Sequence, residues 1–199
     1  VRAFAVGALL LPLPAERPSA PPRFAAFVDG YLDWFARHHP SIAAGNGIHD
    51  HDDLLDDFSA DAVRKEIAEL KRLRAQLGAF DPEGLTPDER VDRRILDGVM
   101  DGWLLEQETL QNWRRNPMLY ASALSDGVHN LMTMESNQAP MRARRVISKL
   151  RQVPGLLAAA RANIANPPRL FAERGAAMMR GASEMLGKDL DLAFAGVTE

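Results

Sequence analysis

Cysteine is absent from the 199-residue chain. That removes disulfide frameworks, thiolate zinc sites and cysteine nucleophiles, and it leaves the redox compartment unmarked. Aromatic residues are sparse at 7%. No apolar run approaches the roughly 20 residues that a helix needs to span a bilayer. A dominant charge is missing too: 24 Lys and Arg stand against 27 Asp and Glu, for a formal net charge of −3. Such a balance supplies no general attraction to phosphate backbones or anionic lipid, so no nucleic-acid partner is expected. The chain also lacks a glycine-rich phosphate loop after a strand, a nucleophile elbow and a His-Glu-x-x-His motif.

What is present favours helix. Ala and Leu far outnumber Val, Ile and Thr, and straight-chain residues lose less side-chain freedom in a helix than β-branched ones. The length suits one domain with a core of its own. At the N-terminus, Arg2 precedes an apolar run over 3–11, and Ala15 stands where a signal peptidase would cut, before the polar pair Glu16 and Arg17. Residues 1–15 are read as a secretory leader, the alternative being a buried apolar segment. The mature protein is expected in the periplasm or outside the cell, with no stable membrane anchor once the leader is cleaved and no cysteine to carry lipid. Residues 16–23 hold three prolines and are read as an extended tether. The helical domain is expected to cover 24–199.

Within it, hydrophobic periodicity is helical nearly throughout. Phe24, Phe27, Val28, Tyr31, Leu32 and Phe35 form one stripe that Pro40 terminates. Ser59 is placed to cap a second helix carrying Val63, Ile67, Leu70, Leu73 and Leu77, released at Gly78. Thr86-Pro87-Asp88-Glu89 combines an N-cap hydroxyl, proline at the first helical position and a glutamate able to close a capping box. The long helix that starts there is expected to bury Val91, Ile95, Val99, Trp103 and Leu110, with Gly98 and Gly102 leaving a groove for another helix. Further helices are expected over 118–134 and 140–153, the latter with Ala143, Val146, Ile147, Leu150 and Val153 inside and Arg142, Arg145 and Lys149 outside. Pro154 is expected to turn the chain. A last helix bears Leu170, Ala177, Met178 and Met185 and ends near Gly187. With neither strand alternation nor a fixed repeat, the fold class is all-α, an irregular multi-helix array.

Few residues invite a chemical reading. His49-Asp50-His51-Asp52-Asp53 concentrates groups that zinc accepts, and in an extended segment His49, His51 and Asp53 would point one way. The preferred reading is a polar turn, because the spacing lacks the fixed helical geometry of a metal motif. The basic residues Arg142, Arg144, Arg145, Lys149 and Arg151 read as the wet face of an amphipathic helix rather than a phosphate track. His38 and His39 close the first helix, where an imidazole interacts well with the helix C-terminus. His129 follows Asp126 at i, i+3, an ordinary pair. No catalytic, cofactor-binding or metal-ligating residue is assigned.

Three segments occur in order: Gly47-Ile48-His49-Asp50-His51-Asp52-Asp53-Leu54, then Asn112-Trp113-Arg114-Arg115-Asn116-Pro117-Met118-Leu119-Tyr120, then Val153-Pro154-Gly155-Leu156 with Asn163-Ile164-Ala165-Asn166-Pro167-Pro168. Together they resemble the N-terminal half of the bacterial family termed domain of unknown function 885, from Phe24 onward. That family resembles α-helical zincin metallopeptidases, whose zinc-binding His-Glu-x-x-His helix lies in the C-terminal half. The resemblance implies a zincin-like helical fold and a hydrolase-family protein, but it carries no ligand or base to any position here. Zinc is expected only in a missing C-terminal half, which would be this chain's partner, and the 199 residues alone are expected to be inactive. They would be a fragment, a truncated gene product or a decayed homologue. The alternative is a stand-alone, non-enzymatic helical interaction module.

Overall fold

The periodic stretches become helices with the caps their sequences provide. In a computed structural model describing residues 22–133 and 137–197, α1 spans Pro22–His38, α2 Pro40–Gly45, α3 Ala60–Gly78, α4 Pro87–Leu104 and α5 Asn112–Arg115. They are followed by α6 over Met118–Thr133, α7 over Ala139–Asn163, α8 over Arg169–Glu184 and α9 over Leu190–Ala193. No strand occurs among the described residues, so the fold is an all-α multi-helix array. None of their helices is long and apolar enough to cross a membrane. The expected leader over 1–15 lies outside the described residues. So does most of the 16–23 tether, of which residues 22 and 23 already belong to α1.

Ser59 Oγ accepts from the Ala62 amide at 3.2 Å and opens α3. Thr86 and Glu89 form the anticipated capping box at α4, with the Thr86 amide donating to Glu89 at 2.8 Å. Two clusters make the core. Phe24, Tyr31, Leu70, Leu77, Leu96 and Met100 join α1, α3 and α4. Val63, Tyr120, Leu124, Val128, Val146 and Leu156 join α6, α7 and the start of α3. Each such side chain removed from water contributes about 1.5–3 kcal/mol before the entropy of ordering is subtracted.

Several expectations need correction. Proline 40 does not simply stop a helix; it starts α2, its missing N–H harmless at the first turn. On α4 the core side carries Leu96 and Met100, while Val91, Ile95 and Val99 are 44%, 57% and 39% exposed. Gly98 and Gly102 face open space, with no helix against them among the described residues. Trp113 is buried.

The largest departure is α7, which runs straight through Pro154. A proline inside a helix costs on the order of 3 kcal/mol. Here Val146, Lys149, Leu156, Ala159 and Asn163 are buried on both sides of it, so one packed face continues across the proline. Tertiary burial outweighs the local penalty. The basic face of α7 is only partly wet, with Arg144 and Arg151 exposed. Lys149 is fully buried, Arg145 Nη1 donates to Asp52 at 2.9 Å, and Arg142 Nη1 donates to the Leu131 and Met132 carbonyls that end α6. Beyond α8 the chain stays helical past Gly187, through a π-turn over Met185–Asp189 and into α9.

Candidate functional site

Residues 46–59 form no regular element, and α7 holds them by one face. Arg145 binds Asp52, Gln152 Oε1 accepts from the Leu55 amide at 3.0 Å, and Asn163 Nδ2 donates to the Phe58 carbonyl at 2.6 Å. The spacing of 145, 152 and 163 repeats on one side of a helix, which is why polar residues here face inward. His49 Nδ1 sits 3.1 Å from Asp52, whereas His51 Nε2 sits 3.2 Å from Asp33 on α1. The two imidazoles thus serve different carboxylates. Asp52 is buried and Asp53 exposed, the reverse of what a shared metal face would need. No group of three His, Asp or Glu side chains converges as a cation would require among the described residues.

This tethered segment forms one side of a cleft of about 480 Å³ at the seam between the two core clusters. α2 contributes Ser41 and Ile42, the tethered segment Asp56 and Phe58, α4 Trp103, and α6 Leu119, Asp126 and Asn130. Glu106 and Gln107 come from a π-turn over Leu105–Leu110 that extends α4. Such turns widen a helix by one residue and recur at functional sites. Gln111 ends it at φ 49°, a left-handed conformation uncommon for a side chain other than glycine or asparagine. Asp126 lines this cleft and makes no pair with His129, contrary to the i, i+3 expectation.

Behind the cleft lie two buried polar groupings. In the first, Glu66 faces His39 Nε2 at 3.0 Å and accepts from Gln107 Nε2 at 3.3 Å, while His39 stacks on Trp103 with ring centroids 4.3 Å apart. Burial and the Glu66 charge push the Tyr31 hydroxyl up to about 12. His38 keeps the helix-end role expected of it, its Nδ1 lying 2.9 Å from the Trp34 carbonyl; His39 does not. In the second grouping the Ser41 hydroxyl donates to Asp56, whose carboxyl burial raises above the ordinary range. Near it lies the Lys149 ammonium, which has no hydrogen-bond partner among the described residues. Burial lowers its pKa, and Asp56 and Asp52 oppose that shift. Gly127 on α6 makes room: a Cβ there would stand 2.9 Å from Ser41 Oγ and 3.5 Å from Lys149 Nζ.

Glu66, Gln107 and Lys149 were missed from the sequence. A signal existed for two of them. Glu66 falls on the stripe of Val63 and Leu70, and Lys149 on that of Val146 and Leu156, so a charged residue interrupts an apolar face in each helix.

The Trp113 to Tyr120 motif is structural. The Tyr120 hydroxyl donates to the Trp113 carbonyl at 2.5 Å, Asn116 Oδ1 accepts from the Met118 amide at 3.0 Å, and Pro117 lies against Gly175 of α8. The family model for bacterial proteins of unknown function, DUF885, matches residues 40–198. The chain belongs to this family. Its match starts at α2 and so leaves out α1, which the resemblance had included. Among solved structures, a protein of Shewanella oneidensis described as a candidate lipoprotein of unknown function shares the fold, with a TM-score of 0.78 and 24% identity. The likeness covers 88% of this chain but 32% of that one, so the chain spans about a third of the length of the structure it matches. No curated protein matches it. Of the family motif, Leu119 reaches the cleft, whereas Trp113 and Tyr120 hold α5 and α6 together.

Proposed function

We propose that this chain is the N-terminal helical portion of a longer, exported, zincin-like hydrolase of the DUF885 family, and that it walls the substrate cleft without supplying a catalytic group. The observation that carries the reading is the cleft at the seam of the two clusters, with Trp103, Leu119 and Phe58 as apolar walls and Asp56 and Asn130 as polar groups. Sites for small substrates are concave and mostly apolar, with a few placed polar groups. Coverage of only 32% of the related structure supports a longer polypeptide. The leader-like residues 1–15 support export, as does the description of that relative as a candidate lipoprotein.

Peptide hydrolysis by a zincin needs three protein ligands, an open position for water and a base beside it. In this reading all of these belong to the C-terminal half, and zinc binds there. The test has two arms. The reading frame beyond Glu199 should encode a His-Glu-x-x-His helix, and the polypeptide spanning both parts, loaded with zinc, should cleave peptide or ester substrates while residues 1–199 alone do not. A stop codon immediately after Glu199 overturns the reading, as does turnover by the short chain that a His49→Ala or His51→Ala change abolishes.

A further inference from the structure

We propose that the cleft binds an organic ammonium ion whose apolar body lies against Trp103 and Leu119 and whose charge is met by the carboxylates of the lining. This deepens the reading of the cleft as a substrate wall and rests on it, but it requires no hydrolysis. Asp56, Glu106 and Asp126 all line the cleft, and among the described residues no lysine or arginine does. Glu106 has no side-chain partner among the described residues, and Asp126 accepts only from the Ser125 hydroxyl, at 3.5 Å. Asp56 is 5% exposed and already accepts from the Ser41 hydroxyl with the Lys149 ammonium nearby, so the cation falls to Glu106 and Asp126. Of the basic groups at the cleft, His39 lies in the lining but faces Glu66 at 3.0 Å, and Lys149 is fully buried behind it. A carboxylate beside apolar walls with no protein cation paired to it is better satisfied by a cation than by an anion or a neutral group. Apolar walls lower the local dielectric and strengthen that selection. The volume, about 480 Å³, suits a small molecule carrying one ring or a short alkyl chain.

Calorimetric titration of the purified 199-residue chain at neutral pH with three probes of one shape tests this: 2-phenylethylammonium, 2-phenylethanol and phenylacetate. The ammonium should bind about tenfold more tightly than the alcohol, and phenylacetate more weakly than either. Glu106→Gln and Asp126→Asn, both at the accessible part of the lining, should each reduce the ammonium preference several-fold while circular dichroism stays unchanged. Trp103→Ala should weaken ammonium and alcohol alike. Equal affinity for ammonium and alcohol overturns the proposal, as does a preference that survives both carboxylate variants or no binding of any probe. Affinity is read without turnover, so a longer polypeptide that fails to hydrolyse leaves this result standing. Loss of the ammonium preference, in turn, leaves a hydrolase for other substrates possible.

Discussion

Asn163 donates to the hydroxyl of Tyr120 at 3.0 Å, joining the end of α7 to the start of α6 inside the larger core cluster. The same amide reaches the Phe58 carbonyl at 2.6 Å, so one side chain closes both the helix pair and the segment that edges the cleft. Asn163→Ala strands that carbonyl in an apolar setting and should cost about 1–3 kcal/mol. Tyr120→Phe, which removes one hydroxyl and leaves the ring packed on Phe58, should cost about 1 kcal/mol. Urea unfolding of both variants and of the double variant measures this, and strict additivity would show that the two groups do not form one unit.

Lys149 and Asp56 should give stability opposite dependences on pH. Between the lowered pKa of Lys149 in the fold and the 10.5 of an exposed lysine, the unfolded chain holds a proton the folded one has lost, so stability rises with pH. Between 3.8 and the raised pKa of Asp56, the folded chain holds the extra proton, and stability falls as pH rises. Lys149→Met should remove the alkaline rise and cost about 3 kcal/mol near neutrality by leaving Asp56 without its neighbouring cation. Asp56→Asn should flatten the acid limb, and the double variant should recover much of the loss. Unfolding midpoints across pH that run parallel in all four proteins would refute the account.

Two glycines should respond to alanine with opposite signs. A Cβ on Gly175 would lie 2.8 Å from Pro117 Cγ and 3.2 Å from its backbone carbon, so α8 must move away from the start of α6. Gly175→Ala should destabilise by about 1–3 kcal/mol. Gly30 sits within α1 with open space around it, and Gly30→Ala should stabilise by about 0.5–1 kcal/mol through helix propensity alone. Thermal melts of the pair decide it; a shared sign would mean that the α8–Pro117 contact is not tight.

Adjacent residues of α4 provide a fourth test. Ile95 is 57% exposed and Leu96 is 9% exposed. Ile95→Glu should change stability by less than about 0.5 kcal/mol, whereas Leu96→Ala should cost about 2–5 kcal/mol. Because Val91, Ile95 and Val99 share one exposed apolar face, Ile95→Glu should also lower the binding of an apolar dye. Dye fluorescence that does not respond would place the chain's sticky surface elsewhere.

Element type and the clearest boundaries were legible in the linear order of residues because their causes are local. The Ser59 hydroxyl reaches an amide three residues on, the Thr86 to Glu89 box closes within one turn, and the apolar spacing of Phe24 to Phe35 recurs with the period of a helix. The order of three motifs was enough to place the chain in its family, from a stretch that the family model matches over 40–198. What needed the tertiary structure was which face of each helix turns inward. Periodicity shows that a face exists without naming its partner, so the stripe of Val91 and Ile95 read as core although α4 packs by Leu96 and Met100. The helix through Pro154 and the inward turn of Arg145 depended on a loop more than ninety residues earlier, which Arg145, Gln152 and Asn163 bind. The cleft is of the same kind. Asp56, Glu106 and Asp126 come from three separate segments, and only the docking of α2 against α6 and the π-turn after α4 brings them to one cleft. Local interactions are written in neighbouring residues, whereas burial and shared electrostatics depend on distances that only the packed chain sets.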